Sequence, residues 1–165
     1  MGAFAAGVER LEAAGLRTAI QKFSQSGRPI LGICLGMQIL ADSGAEGGST
    51  LGLGLIKGIV HRFDEKLNVS LPHVGWNSVC LRKPHPVFQK VKNEADFYFV
   101  HSYHLECEAG SDVYAETNYG QDFTAIAGHG NVIGCQFHPE KSQVNGLRII
   151  ENFCNWDGKN KKKES

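Results

Sequence analysis

The sequence predicts one α/β domain, and three patterns support this prediction. Two amphipathic helical patterns open the chain, an apolar strand followed by a glycine-flanked turn and a helix comes next, and short strands fill most of the remainder. A chain of 165 residues fits one domain with a single core rather than two. No internal repeat and no linker rich in Pro, Gly or Ser interrupts it, so helices and strands belong to one fold.

The first part of the chain predicts three helices and one buried strand. Apolar residues recur at spacings of three and four along residues 4–11 and 16–23, which is typical of two consecutive helices. Residues 30–33 form a continuous apolar run of the kind that buried parallel strands show, and this strand ends at Cys34. The apolar residues within 37–41 then indicate a further helix.

Beyond residue 55 the pattern changes to short strands. We predict them at residues 56–63, 78–81, 97–100, 113–118, 123–127 and 132–137. Two glycines and an asparagine between the last two favour an antiparallel hairpin. Apolar residues across 147–153 predict a final helix, and residues 157–165 are expected to form a mobile, Lys-rich tail.

Composition and charge exclude several classes of function. The 17 Lys and Arg balance 17 Asp and Glu, but four of the Lys lie in the tail with one Asp and one Glu, so the rest of the chain is slightly acidic. A body without basic excess gives no electrostatic reason to expect nucleic acid. No run approaches the ~18 apolar residues that cross a bilayer, and no secretory signal is present. We therefore expect a soluble, cytoplasmic protein that contacts no membrane.

A candidate nucleophile lies at the end of the first predicted strand. Gly32-Ile33-Cys34-Leu35-Gly36 has the form and the strand-to-helix context of a nucleophile elbow. We expect glycine on both sides because the sharp turn leaves no room for Cβ atoms, and we expect the following helix N-terminus to lower the thiol pKa. A buried structural cysteine is the alternative. The five cysteines are odd in number and widely spaced, which does not indicate a disulfide framework.

A candidate general base and its orienting carboxylate follow the last predicted strand. In an extended segment residues two apart point to the same side, so in His138-Pro139-Glu140 the imidazole and the carboxylate can face one another or a common site. A cysteine nucleophile needs such an oriented base. A polar turn at a strand end is the alternative. Cys135 and His138 lack the paired spacing of a zinc site, and we expect no metal and no other cofactor.

Four segments together carry a resemblance to a known family. With Gly32-Ile33-Cys34-Leu35-Gly36-Met37-Gln38 and Gly134-Cys135-Gln136-Phe137-His138-Pro139-Glu140-Lys141, the chain resembles the class I (triad) glutamine amidotransferases. Pro72-His73-Val74-Gly75-Trp76-Asn77 and Tyr98-Phe99-Val100-His101-Ser102-Tyr103 are similar to the glutaminase subunits of imidazole glycerol phosphate synthases. The resemblance implies one domain over residues 1–156, with a mostly parallel central sheet flanked by helices and an antiparallel hairpin.

The resemblance also implies roles for individual residues. Cys34, His138 and Glu140 would form a catalytic triad that hydrolyses L-glutamine to glutamate and ammonia through a γ-glutamyl thioester. The implied glutamine contacts are Gln38, Glu46, His101, Ser102 and Tyr103. The alternative for Glu46 is a solvated loop residue, and His101 and Tyr103 could equally be core residues at a strand end. The implied oxyanion donors are the backbone of Leu35 and Gly2, and the implied partner contacts are Trp76, Tyr98 and Lys141.

The implied partner is a cyclase subunit that forms a heterodimer with the glutaminase and uses the ammonia to make imidazole glycerol phosphate in histidine biosynthesis. Ammonia supply to a sugar amidotransferase in surface-polysaccharide synthesis is an alternative. Family members begin with further strands and a Pro-Gly-x-Gly oxyanion turn, of which this sequence retains only Gly2 and its neighbours. A truncated, catalytically silent docking subunit is therefore a second alternative.

Overall fold

Within residues 3–160, which the computed structural model describes, two β-sheets are packed with four α-helices. The helices are α1 (Phe4–Ala13), α2 (Leu16–Gln25), α3 (Leu35–Ile39) and α4 (Gln143–Cys154). The strands are β1 (Ile30–Ile33), β2 (Ser43–Gly44), β3 (Thr50–Leu51), β4 (Gly58–Arg62), β5 (His73–Leu81), β6 (Ala95–His101), β7 (Tyr103–Cys107), β8 (Val113–Asn118), β9 (Asp122–His129) and β10 (Val132–Cys135). None of these four helices is long and apolar enough to cross a membrane.

The larger sheet contains six strands in the order β1-β10-β9-β8-β5-β6. β1 runs parallel to β10, with Ile33 opposite Cys135, and the other neighbouring strands pair antiparallel. The predicted α/β fold and the β9-β10 hairpin are confirmed. The expectation of a mostly parallel sheet is wrong for the described strands of this sheet, of which only β1 and β10 pair in parallel. The tight turns from β8 to β9 and from β9 to β10 are too short for a parallel crossover, so these pairs must be antiparallel.

The smaller sheet, in the order β3-β2-β4-β7, contains three strands that the sequence analysis did not predict. β2 and β3 have two residues each and lie in the glycine-rich segment after α3. β7 follows β6 after Ser102 alone. Apolar side chains alternate with polar ones along β7, and this period of two is the signal that would have predicted it.

Two apolar cores are divided between the faces of the larger sheet. One contains the inward face of α4 and a group of phenylalanines, in which Phe97 stacks on Phe137 with ring centroids 4.1 Å apart. The other contains Phe4 and Val8 of α1 together with Met37 of α3. The first core holds β6 against the end of β10, and the second holds α3 against β1. The segments that carry His138 and Cys34 are therefore each packed on an apolar core.

The C-terminal end of the described chain is held to the domain by two hydrogen bonds. The indole N–H of Trp156 donates to the carbonyl of Lys159 at 3.0 Å, and the amide of Asn160 donates to the Tyr114 hydroxyl at 3.0 Å. Most of the predicted Lys-rich tail, including its last three lysines, lies outside the described residues.

Buried histidines make the stability of this fold depend on pH. Burial lowers the pKa of His73, His85 and His104 to about 4 and that of His101 to about 3. Below the ordinary histidine pKa of 6.5, the unfolded chain binds protons that the folded chain does not bind. The free energy of unfolding should therefore fall as the pH falls from 6.5 towards 4, by up to about 1.4 kcal/mol per pH unit for each buried histidine.

Urea titrations followed by circular dichroism at pH 7, 6 and 5 measure this slope. In His85→Phe the ring still packs against Trp156, 4.7 Å away in the native structure, but it no longer titrates. We expect a shallower loss of stability in this variant. An unchanged slope would show that His85 does not contribute.

Candidate active site

Cys34 occupies a strained turn between β1 and α3. Its φ of 51° and ψ of −109° lie in a region that residues other than glycine rarely adopt. A Cβ on Gly32 would lie 2.7 Å from the backbone nitrogen of Met37 and 2.7 Å from Leu40 Cδ1, so glycine is required there. The predicted strand-to-helix elbow is confirmed.

The expectation that Gly36 is equally required is wrong. A Cβ on Gly36 would meet no described atom within 4 Å, and its backbone is not left-handed. Gly36 borders an apolar cavity of about 650 Å³, lined mainly by residues of α1, α2, β1 and α3, and this cavity supplies the room.

The segment that carries His138 is fixed to β6 by two hydrogen bonds, and a third lies within the segment. The backbone N–H of His138 donates to the carbonyl of Tyr98 at 2.8 Å. The buried hydroxyl of Ser142 donates to the carbonyl of His138 at 2.6 Å and accepts from the backbone N–H of Tyr98 at 2.9 Å. These bonds close a ring between the two segments, so the backbone of His138 keeps a fixed position relative to Tyr98.

The side chains of His138 and Glu140 face one another, but the predicted extended segment is wrong: Pro139–Lys141 form one turn of 3-10 helix that follows His138. His138 Nδ1 lies 2.7 Å from Glu140 Oε1, and the carboxylate can only accept, so Nδ1 carries the hydrogen. His138 Nε2 is buried and has no hydrogen-bond partner among the described residues. This nitrogen is therefore the free basic atom of the pair, and His138 lines the same cavity of about 420 Å³ as Cys34.

The resting state of Cys34 differs from the predicted activated thiol. Burial raises its pKa, which outweighs the lowering by the Leu35 backbone N–H and by the Gln136 side chain, and the charge of Glu140 raises it further. The predicted lowering by the helix N-terminus is present in the Leu35 backbone N–H, but the burial of the sulfur outweighs it, so the pKa is raised and not lowered. The thiol is consequently neutral at rest and needs a base to ionise.

The structure brings the predicted glutamine contacts to the same cavity as Cys34. The cavity is lined by Ile33, Cys34, Leu35, Gln38, Glu46, His101, Ser102, Tyr103 and His138. One carboxylate oxygen of Glu46 accepts the backbone N–H of Phe4 at 2.7 Å. Both amide hydrogens of Gln38 are used within the protein, towards the Tyr103 carbonyl at 2.9 Å and Gln136 Oε1 at 3.0 Å, which leaves Gln38 Oε1 to face a ligand.

Of the two predicted oxyanion donors, one can be placed. Leu35 follows Cys34 directly, lines the cavity and gives Cys34 a backbone hydrogen bond, which is the chain position of the usual oxyanion donor after a nucleophile elbow. Gly2 lies outside the described residues.

The three predicted partner contacts form one surface cluster. Trp76 on β5 is the cross-strand partner of Tyr98 on β6, with ring centroids 5.9 Å apart. Lys141 Nζ lies 5.9 Å from the centroid of the Tyr98 ring. Trp76 is 49% exposed, which is unusual for so large an apolar side chain.

Sequence reasoning missed Gln136 as a functional residue. Its fully buried side-chain amide donates to Cys34 Sγ at 3.7 Å and accepts from Gln38. A glutamine at the end of an apolar strand was the available signal, since a buried amide requires partners. Its partner Gln38 is 98 residues away in the chain, which no local pattern reveals.

Cys135, which the sequence analysis weighed as a metal ligand, is buried two residues before Phe137, whose carbonyl lies 3.6 Å from its sulfur. Across residues 3–160, no group of three or more His, Cys, Asp or Glu side chains is placed to hold a metal ion.

The family profile described as "Glutamine amidotransferase class-I" matches residues 4–156, and the chain belongs to this family. The imidazole glycerol phosphate synthase subunit HisH of Sulfurimonas denitrificans is 46% identical over 159 residues, covering 94% of this chain and 76% of the relative. The subunit of the same name from Methanosarcina barkeri is 43% identical and covers 93% and 75%.

Solved structures share the fold at much lower identity. A crystal structure of a glutamine amidotransferase has a TM-score of 0.67 at 16% identity, covering 93% of this chain and 76% of that one. A glutamine amidotransferase from Thermotoga maritima has a TM-score of 0.64 at 21% identity, covering 94% and 59%.

Gly32 and Gly36 provide a matched pair of substitutions for the elbow. We expect Gly32→Ala to lower the free energy of unfolding by about 1–3 kcal/mol, because the new Cβ must displace the backbone of Met37. Gly36→Ala should not lower the free energy of unfolding, since there is open space around position 36 and alanine favours a helix. Urea unfolding of the two variants beside the parent chain measures the difference; equal losses would contradict this account of the turn.

Proposed function

We propose that the chain is the glutaminase subunit of an imidazole glycerol phosphate synthase. It hydrolyses L-glutamine to glutamate and ammonia with Cys34, His138 and Glu140, and it delivers the ammonia to a cyclase subunit in histidine biosynthesis. The observation that carries the proposal is the strained Cys34 in one cavity with a histidine whose Nδ1 is paired with Glu140 and whose Nε2 is free. The relatives named as HisH subunits support the choice of synthase.

The reaction follows from the protonation states at the site. The neutral thiol of Cys34 transfers its proton to His138 Nε2 while the sulfur attacks the side-chain amide carbon of glutamine. The resulting oxyanion accepts the Leu35 N–H, and the Glu140 carboxylate stabilises the imidazolium. His138 returns the proton to the leaving nitrogen as the C–N bond breaks, which releases NH₃ and leaves a γ-glutamyl thioester. His138 then deprotonates a water that attacks the thioester, and glutamate and the thiol are regenerated.

The cavity has the size and polarity for a free amino acid. About 420 Å³ falls in the range of small-molecule pockets. The Glu46 carboxylate suits the α-ammonium group of glutamine, and Gln38 Oε1 is a further acceptor for it. Ser102, the single residue between β6 and β7, also lines the cavity. Its backbone N–H and its hydroxyl are the donors that we propose for the α-carboxylate of glutamine.

The cluster of Trp76, Tyr98 and Lys141 is the proposed docking surface for the cyclase in a heterodimer. A half-exposed tryptophan next to a partly buried tyrosine and a lysine is typical of an interface anchor. The backbone of His138 is hydrogen-bonded to that of Tyr98, so the docking surface and the catalytic histidine are attached to the same segment of β6. The five cysteines are all free thiols, which fits the reducing cytoplasm that we propose for the protein.

Glutamate release tests the triad. In the presence of the cyclase subunit of Sulfurimonas denitrificans, Cys34→Ala should abolish the release of glutamate, because the covalent intermediate cannot form. Glu140→Gln should lower kcat by at least about 100-fold, because the imidazolium loses its counter-charge. Cys154→Ala, which changes an exposed thiol at the end of α4, is the matched control and should retain activity.

Equal turnover in Cys34→Ala and the parent chain would refute the assigned nucleophile. If the parent chain binds the cyclase but releases no glutamate at saturating glutamine, the chain is a silent docking subunit instead.

Association with the same cyclase tests the docking surface. Trp76→Ala should raise the Kd about 30-fold, which corresponds to about 2 kcal/mol for an aromatic anchor. Ile59→Ala changes another half-exposed apolar residue, on β4 of the smaller sheet, and should leave the Kd unchanged. Isothermal titration calorimetry measures both; equal effects of the two substitutions would place the interface elsewhere.

A further inference from the structure

Two buried histidines connect the wall of the catalytic cavity to strand β5. His101 and His73 are cross-strand partners on β6 and β5, and both are at most 3% exposed. His101 Nδ1 lies 2.8 Å from the Tyr103 carbonyl, and His101 Nε2 lies 3.1 Å from His73 Nδ1. His73 Nε2 in turn lies 3.4 Å from the amide nitrogen of Asn77.

The direction of these hydrogen bonds is fixed by their chemistry. A carbonyl only accepts, so His101 Nδ1 carries a hydrogen, and the neutral ring then has a bare Nε2. His73 Nδ1 must donate to that nitrogen, which leaves His73 Nε2 to accept from Asn77. Burial lowers the pKa of both rings far below neutrality, which agrees with one hydrogen on each ring.

A second series of bonds starts at the same carbonyl and ends at the nucleophile. The Tyr103 carbonyl also accepts from Gln38 Nε2, whose other hydrogen goes to Gln136 Oε1. With its oxygen occupied in this way, the amide of Gln136 must present its nitrogen to Cys34 Sγ. A donor at the sulfur favours the thiolate over the thiol. One continuous buried series of hydrogen bonds therefore joins Asn77 to Cys34.

Asn77, at the far end of the series, follows Trp76 directly, in the strand that carries the proposed docking surface. Its amide also donates to the Asn118 carbonyl at 2.8 Å, which anchors the series to β8. Every intermediate side chain is buried, so a broken bond would leave an unpaired polar group without water to replace the partner. Such a series holds its members in one arrangement.

We propose that His73 and His101 are positioning residues of the active site, which hold the Gln136 amide on Cys34 Sγ through the Tyr103 carbonyl and Gln38. The proposal adds to the glutaminase function the residues that position the nucleophile. It rests on that function only where it says that this positioning matters for catalysis. The ionisation of Cys34 then depends on the hydrogen bond between the His73 and His101 rings, neither of which contacts the sulfur.

The pH dependence of Cys34 alkylation by iodoacetamide tests this without glutamine. Mass spectrometry of the Cys34 peptide gives the apparent thiol pKa separately from the other four cysteines. Gln136→Met should raise this pKa by about one unit, so that alkylation at a fixed pH below it is about tenfold slower. His101→Phe should raise the pKa in the same direction by a smaller amount. Glu140 and Lys141, the charges that act on Cys34, are the same in all variants.

A double variant separates positioning from general damage. If His101 acts through Gln136, His101→Phe should add no further shift to Gln136→Met. His101→Asn keeps a donor near the position of Nδ1 and should restore most of the parent pKa. His104→Phe is the matched control: it changes another buried histidine of the same aromatic cluster, outside the hydrogen-bonded series, and should leave the pKa unchanged.

If His101→Phe does not unfold cooperatively in urea, His73→Phe provides the same test one bond further away. The His73 ring stacks on Tyr119 with centroids 3.9 Å apart, so phenylalanine keeps the stacking and removes only the polar atoms. A full additive shift in the double variant, or equal shifts in His101→Phe and His104→Phe, would overturn the proposal. Absence of glutamate release with these pKa shifts present would refute the glutaminase function and leave the positioning role intact.

Discussion

The parallel pairing of β1 with β10 is the contact on which the candidate site depends. It places Ile33 opposite Cys135 and lets the backbone N–H of Cys34 donate to the Cys135 carbonyl at 2.8 Å. Cys34 and His138 follow these two neighbouring strands at the same end of the sheet. A slip of one residue would turn every side chain of β1 to the other face, so the register fixes the site as well as the core.

The same pairing explains two glycines of the larger sheet. Gly32 and Gly134 lie opposite one another, and a Cβ on either would collide with α3, at the backbone of Met37 in the first case and its side chain in the second. Their absence of side chains lets the short α3 lie directly on the strands. A five-residue helix has little stability of its own, and this close packing supplies what propensity cannot.

Local sequence patterns predicted the reactive side chains of the site better than the residues that hold those side chains in position. The elbow at Cys34 follows from spacing within a few residues, and the structure places it as expected. His138 and Glu140 also face one another, although they meet across a 3-10 turn and not along an extended segment. The roles of Gln136 and Ser142 arise from partners far away in the chain, at Gln38 and Tyr98, and no periodicity encodes such contacts. The raised pKa of Cys34 likewise depends on how deeply the folded chain buries the sulfur, which the motif alone does not state.

The backbone and the side chain of Tyr98 have different roles in the structure. Its backbone is bonded to His138 and Ser142, whereas its ring faces Trp76 and Lys141 at the surface. An insertion or a shift in β6 would move the histidine together with the surface. A change of side chain at position 98 would alter only the surface. If the proposed docking surface diverges towards a different partner, it can do so through side-chain replacement, while the length and alignment of the strand stay fixed by the position of His138.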